Sequence, residues 1–354
     1  LIRIMALQSS GQISYSDITN EFGSPGNGGF GAFRVSQSVG TLSNLPLDSG
    51  IPQSGQISFS QFYGKRLNCV TNLYSGGTEY RKNARTHYNN STGHVTCIGN
   101  FRTRPSNPDG KRHFININKT FGSAKSSNKF VAAVRTGTWG SQSIVSVDIG
   151  GSGRIFGAGG NGGAGRSGAT DAPGFNGSNG TTALAIEHNG TTVNHASGAL
   201  ITCGFAGGGG GGSSREEDSQ DRTAGGGGGG GGAGLPAGNG ALGGNWGANN
   251  DEVRGGAAGG NGSTPNTNAA REGGAGGNGG NNRGEAVGGN GGRGGDTEGG
   301  PQNGGAGRAT GEEWGGGGLH GSNGCAISKA SGISWSYGTQ SGTVIGTTNE
   351  TGVA

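Results

Sequence analysis

The chain of 354 residues is short of nearly everything a conventional globular core is made from. Hydrophobic residues make up 28% of it, aromatic residues 6% and charged residues 13%. A single large core is excluded, because too little apolar surface is available to offset the entropy of ordering the chain. Proline is also sparse, at nine residues, and glycine does not recur at every third position, which excludes collagen. No stretch approaches the ~20 apolar residues that span a bilayer, so no membrane insertion is expected. The opening LIRIMAL is too short, and its continuation too polar, for a secretory signal. Met5 is the only methionine and the expected start of translation.

Catalytic signatures are missing as well. The six histidines (His87, His94, His113, His188, His195, His320) form no HExxH pair, and neither Gly64-Lys65 nor Gly110-Lys111 is followed by the Ser or Thr of a P-loop. GAGGNG at 157–162 matches a dinucleotide pattern only because glycine is everywhere around it. No enzyme activity, cofactor or metal is expected. The four cysteines, Cys69, Cys97, Cys203 and Cys325, lack any CxxC spacing. Free, mostly buried thiols in a protein assembled in a reducing cytoplasm are the expectation, with a Cys69–Cys97 disulfide as the alternative.

What the chain has is glycine, 89 residues of it. The glycines come in blocks, among them 207–212, 225–232, GGAAGGNG (255–262), GGAGGNGG (273–280) and GGNGGRGG (288–295). Polar segments separate them: SSREEDSQDRTA (213–224), ANNDEVR (248–254), STPNTNAARE (263–272), NRGEAV (282–287) and ATGEEW (309–314). Composition alone favours a disordered linker. The ordered alternative is a bundle of polyproline-II helices, whose bare N–H and C=O groups are satisfied by neighbouring strands. Ordering so much glycine is entropically expensive, so such a bundle needs anchoring by conventional elements, with the polar segments as its turns and rims.

Conventional elements lie outside the blocks. Period-two runs at 94–101, 112–121 and 143–150, with a more apolar run at 129–139, predict a small β-domain over 69–150. Arg81, Lys82, Arg85, Arg102, Arg104, Lys111 and Arg112 cluster there. With few aromatics interleaved and no nucleic-acid-binding signature, they read as a solvated face rather than a nucleic-acid site. Asn189-Gly190 between apolar runs predicts a hairpin. The run 325–346 predicts alternating strands, with Trp335 and Tyr337 on one face. The fold class expected is therefore mostly irregular and β. It comprises an attachment segment at 1–68, a β-domain at 69–150, a glycine-rich polyproline-II bundle at 151–324, and a closing β-hairpin at 325–354.

An internal repeat marks the first segment: SGQISYSDI (10–18) returns as SGQISFSQF (54–62). Its alternation predicts strand or extended structure. Two such elements suit either docking onto a partner or a small β-subdomain.

The layout of SGQISxSD-type segment, IFGAGGNGGAG entry block (155–165), glycine tract and closing ISW…YGT strands resembles the tip adhesins of T-even-type bacteriophage long tail fibres. The resemblance covers much of the chain in layout, and its motifs are compositional. It implies a layered polyproline-II sandwich in a virion protein assembled in the host cytoplasm. The partners implied are a tail-fibre or other virion protein and a host cell-surface protein or polysaccharide. Carried over by position, Ile13, Tyr15, Ile18, Ile57, Phe59 and Phe62 would face the fibre. The receptor face would come from Arg215, Glu216, Glu217, Asp218, Gln220, Asn250, Asp251, Glu252, Arg254, Asn266, Asn268, Arg271, Arg283, Glu285, Glu312 and Trp314. The 69–150 region has no obvious counterpart in that family. Trp246 and Trp314 are candidates for a stacking platform or for plugs of the bundle ends. The acidic run at 216–218 with Asp221 reads as a solvated loop rather than a cation site. A structural virion piece, with the glycine tract as a spacer, is the competing expectation.

Overall fold

The computed structural model describes residues 6–354 apart from 27, 74–78, 81, 91–94, 99–104, 106–107, 168–171, 217–221, 245–252, 255, 265–271, 283–285, 298–299, 307 and 310–312. The described residues are mostly β.

Three sheets of parallel strands form a three-sided β-helix of five coils, each coil giving one strand to each face. The first face carries Asn68–Leu73, Arg112–Ile117, Ile144–Ile149, Thr191–His195 and Trp335–Gln340 in that order, with Val95–Cys97 added antiparallel at the outer edge. The second carries Glu79–Tyr80, Thr120–Gly122, Arg154–Phe156, Leu200–Thr202 and Thr343–Ile345. The third carries Lys82–Asn83, Ala132–Arg135, Thr182–Ile186, Cys325–Lys329 and Thr347–Thr351.

In-register parallel pairing stacks like on like. Ile115, Val147 and Val193 form one column, Phe121, Ile155 and Ile201 a second, and Val134, Leu184 and Ile327 a third. All of these residues are buried in one core cluster, the contiguous apolar column a solenoid needs. Contrary to the expectation from composition, a single long core does form, because the stacked coils share it. Outward on the first face, Asn72, Asn116, Asp148 and Asn194 form a polar ladder. Asn116 donates to Asn72 at 2.6 Å and Asn194 donates to Asp148 at 2.8 Å.

The strand runs of 69–150 are thus the first coils of a β-helix rather than a separate domain, completed by strands as distant as 325–351. The expected closing hairpin is not one: Cys325–Lys329 and Trp335–Gln340 lie on different faces and pair parallel with earlier coils. Likewise Asn189-Gly190 turns a corner between the third and first faces, with Gly190 at φ 73°.

The N-terminal repeat is helical rather than extended. Each copy places a serine at a helix N-cap. Ser14 opens the α-helix Tyr15–Phe22 with a capping box to Asp17, and Ser58 opens the 3-10 helix Phe59–Phe62 with a capping box to Gln61. At Ser14 the two backbone donors are satisfied reciprocally. At Ser58 the Gln61 side chain accepts the Ser58 amide at 2.7 Å, while the Gln61 amide donates to the Ser58 carbonyl at 3.2 Å. Ile18, Phe22, Phe33 and Phe62 are fully buried and continuous with the β-helix core. A buried Lys111–Glu21 ion pair ties this cap to the second coil.

The glycine tract leaves the β-helix at one corner, between the second and third faces. That corner holds residues 123–131 in the second coil and Gly346 in the fifth; the third coil expands there to 157–181 and the fourth to 203–324. The expansions form ten segments, alternating outward (157–166, 203–212, 238–244, 272–280, 302–306) and inward (172–181, 225–234, 256–263, 288–295, 315–324). Bonds recur at every third residue. Gly157, Gly160, Gly163 and Arg166 donate to Thr202, Phe205, Gly208 and Gly211, while Gly159, Gly162 and Gly165 donate to Pro236, Asn239 and Leu242.

Segments 203–212 and 225–234 are central, each hydrogen-bonded to six others. They hold the two purest glycine blocks, because every side of each is a packing side. A Cβ on any glycine from 207 to 212 or from 225 to 232 would come within 3.0 Å of a carbonyl oxygen of another segment. Peripheral blocks admit a side chain at every third residue, as Asn161 and Ala164 show. There, asparagine carbonyls accept amide hydrogens left over by neighbouring segments, as Asn290 does from Gly279 and Asn176 from Leu319.

Candidate functional site

Segment direction decides which connections share an end. The connections 167–171, 213–224, 245–255, 281–287 and 307–314 all join an outward segment to the following inward one, at the end far from the β-helix. Two small sheets gather there. One orders Val253–Arg254, Arg222–Ala224, Ser214–Glu216 and Glu313–Trp314; the other orders Asn281–Asn282, Ala286–Val287 and Arg308–Ala309. The register sets Arg215 opposite Thr223 and Glu313, Glu216 opposite Arg222, and Trp314 opposite Ser214. Arg254 sits opposite Ala224.

Of the expected receptor residues, Arg215, Glu216, Arg254 and Trp314 are therefore placed at one distal face, with Arg215 half-buried. Glu217, Asp218, Gln220, Asn250, Asp251, Glu252, Asn266, Asn268, Arg271, Arg283, Glu285 and Glu312 lie outside the described residues, as does Trp246. The flanks of the 264–271 segment nonetheless separate it from the others. Ser263 donates its amide hydrogen to Glu272 at 2.8 Å, and Gly234 donates to Ser263 at 3.2 Å, beside the cis Leu235-Pro236 bond at the β-helix end. The described flanks of that segment, Ser263 and Glu272, thus lie at the opposite end from the flanks of the other four. There Asp296 accepts from Gly273 at 2.9 Å and pairs with Arg293. Sequence reading also missed 167–171 as a distal connection. Its signal was the placement of IFGAGGNGGAG directly before it, a block of the same kind as the later ones.

At the other pole, the repeat residues divide by burial. Ile18 and Phe62 are 0% exposed and Ile13 is 7% exposed, all within the chain's own core, so they cannot face a fibre. Ile57 is half-buried against that core. Tyr15 and Phe59, equivalent positions of the two copies, are the exposed pair at 37% and 39%. Phe30 packs edge-on to both, with ring centroids 5.8 and 4.6 Å away. Tyr15 donates its hydroxyl to the Gly28 carbonyl at 3.2 Å. Hydrogen bonds from the Ser14 side chain and backbone hold the neighbouring Asp17 carboxyl below its ordinary pKa.

Among the described residues, no helix is long and apolar enough to cross a membrane, and no group of three His, Cys, Asp or Glu residues is arranged to hold a metal ion. No family model, curated protein or solved structure matches the chain.

Proposed function

We propose that the chain is a virion adhesin of a tailed bacteriophage, positioned at the tip of a tail fibre, which binds a host-surface protein or polysaccharide through the distal connections of its glycine bundle. The observation that carries this reading is the convergence of four polar, mixed-charge segments on the end of the bundle remote from the β-helix. A rigid frame that presents donors and acceptors of both signs lowers the ordering cost of binding. The ten segments are polyproline-II helices in this reading, supported by the three-residue hydrogen-bond period and by negative φ throughout the described glycine blocks. A ten-residue segment then spans roughly 31 Å, which sets the distal face well clear of the virion. The opposite pole attaches to the fibre, with Tyr15, Phe59 and Phe30 as the aromatic contact.

Exchanging 217–221 and 248–252, and keeping the buried and strand-paired residues beside them, should abolish binding of the purified protein to intact host cells while leaving its melting temperature unchanged. Exchanging 264–271, at the other end, should leave binding intact. If every exchange left binding unchanged, the tract would be a structural spacer in a fibre adaptor or decoration protein.

A further inference from the structure

Two of the four cysteines face each other across a strand pair. Val95–Cys97 is the antiparallel strand at the outer edge of the first face, and its register sets Cys97 directly opposite Cys69. Cα atoms of directly opposed antiparallel residues lie about 4.5–5.5 Å apart, inside the range a disulfide spans. The structure holds both as free, buried thiols placed side by side. Cys97 retains 6% exposure, whereas Cys69 has none.

The position is distinctive within the β-helix. Asn68–Leu73 opens the first coil, which has no neighbouring coil on its outer side, and terminal repeats of a solenoid are its least supported units. Between the two cysteines runs most of that coil, including the helix Ala84–Asn90 with its buried Tyr88.

We propose that Cys69 and Cys97 are a disulfide site that closes the first coil on itself when the protein meets a thiol–disulfide oxidant such as glutathione disulfide. The Cys97 thiolate attacks one sulfur of the oxidant, breaking its S–S bond and releasing one glutathione thiolate. Cys69 then attacks the Cys97 sulfur of the mixed disulfide and releases the second. The two protein thiols lose two electrons and two protons, and one glutathione disulfide becomes two glutathione thiols. Burial, reinforced by the adjacent Cys97 thiol, holds the Cys69 pKa well above the ordinary thiol value. Closure is therefore slow at neutral pH and faster in alkali. This site is independent of the adhesin reading.

The test equilibrates the full chain with glutathione redox buffers of increasing oxidising strength, both as native protein and during refolding from urea. Free thiols are then alkylated under denaturing conditions and the peptides are mapped. A Cys69–Cys97 linked peptide is expected in both preparations, together with a melting temperature that rises on oxidation and falls back with dithiothreitol. Cys97→Ser should abolish the rise without changing the melting temperature of the reduced protein by a comparable amount. Full alkylation of both cysteines after refolding in the most oxidising buffer would overturn the proposal, because refolding removes burial as a barrier to the reagent. A linked pair that leaves the melting temperature unchanged would overturn its role in closing the coil.

Discussion

Gly208 donates its amide hydrogen to the carbonyl of Gly230 across 2.8 Å, joining the two central segments of the bundle at mid-length. A Cβ on Gly208 would collide with the Gly292 carbonyl, and one on Gly230 with the Gly274 carbonyl. Neither residue adopts a left-handed backbone. They are glycine because backbones approach from every side, not because a turn requires it.

The first prediction follows from this packing. Gly230→Ala and Gly276→Val should each destabilise by at least the 1–3 kcal/mol of an overpacked core site, since carbonyl oxygens cannot move aside as side chains do, so roughly 3 kcal/mol or more is expected. Gly316 belongs to a glycine block but would meet nothing within 4 Å. Gly316→Ala should therefore be neutral or stabilising by up to about 1 kcal/mol through the unfolded state. Thermal melting of the three variants checks this, and equal losses in all three would refute dense packing as the reason for glycine.

Lys111 and Glu21 are each about 5% exposed, and Glu21 also accepts the Leu67 amide at 2.7 Å. Lys111→Met leaves a buried carboxylate without its cation and should destabilise by about 3–5 kcal/mol. Adding Glu21→Gln should restore a large part of that loss. A double-mutant cycle in urea measures the coupling.

Acid sensitivity should trace to His113. Its imidazole stacks on Trp139 at 4.0 Å, and burial depresses its pKa to about 3, with Arg85, His188 and Lys111 opposing protonation and the hydrogen bond to Pro108 favouring it. The unfolded chain binds this proton near pH 6.5 and the folded chain only near 3. Stability therefore falls as pH drops through that window and levels off below it. The Glu350 carboxyl, held low by Cys325 and Lys129, adds a loss of the same sign at the acid end. Asp148, raised by burial, acts in the opposite sense. Melting temperatures from pH 7 to 4 should decline less steeply in His113→Gln, and an unchanged slope would remove His113 from this role.

Asparagine-glycine pairs recur through the bundle, and such pairs ordinarily deamidate by attack of the glycine nitrogen on the side-chain amide. Here those nitrogens are committed. Gly162 donates to Asn239, Gly177 to Leu319, Gly291 to Gly277 and Gly324 to Gly204, and Gly279 donates to Asn290. Deamidation at Asn161, Asn176, Asn278, Asn290 and Asn323 should be far slower in the native protein than in urea, as peptide mass mapping after alkaline incubation would reveal. Equal rates would mean that the bundle opens readily.

Much of this architecture was written locally and some of it was not. The period-two runs gave most of the β-helix strands, and the glycine blocks gave a laterally bonded bundle. What no local pattern carries is which strands pair. Leu184 stacks beside Ile327 across the whole 203–324 excursion, so the first coils looked like a domain and the last like a hairpin. Ser14 and Ser58 cap helices, whereas the alternation around Ile13 and Tyr15 resembled a strand. The expected receptor residues follow the polar segments between glycine blocks. The end at which each segment emerges depends on counting segment directions, which separates the flanks Ser263 and Glu272 from Arg215 and Trp314.

The most direct test of a distal recognition face places a photo-crosslinking residue at Asn281, at the far end of the bundle, or at Thr297, exposed at the β-helix end. Each protein is then irradiated on intact host cells. Capture of a host-surface component from Asn281 and not from Thr297 is the predicted result. Capture from Thr297 alone would contradict the account and move recognition to the opposite end.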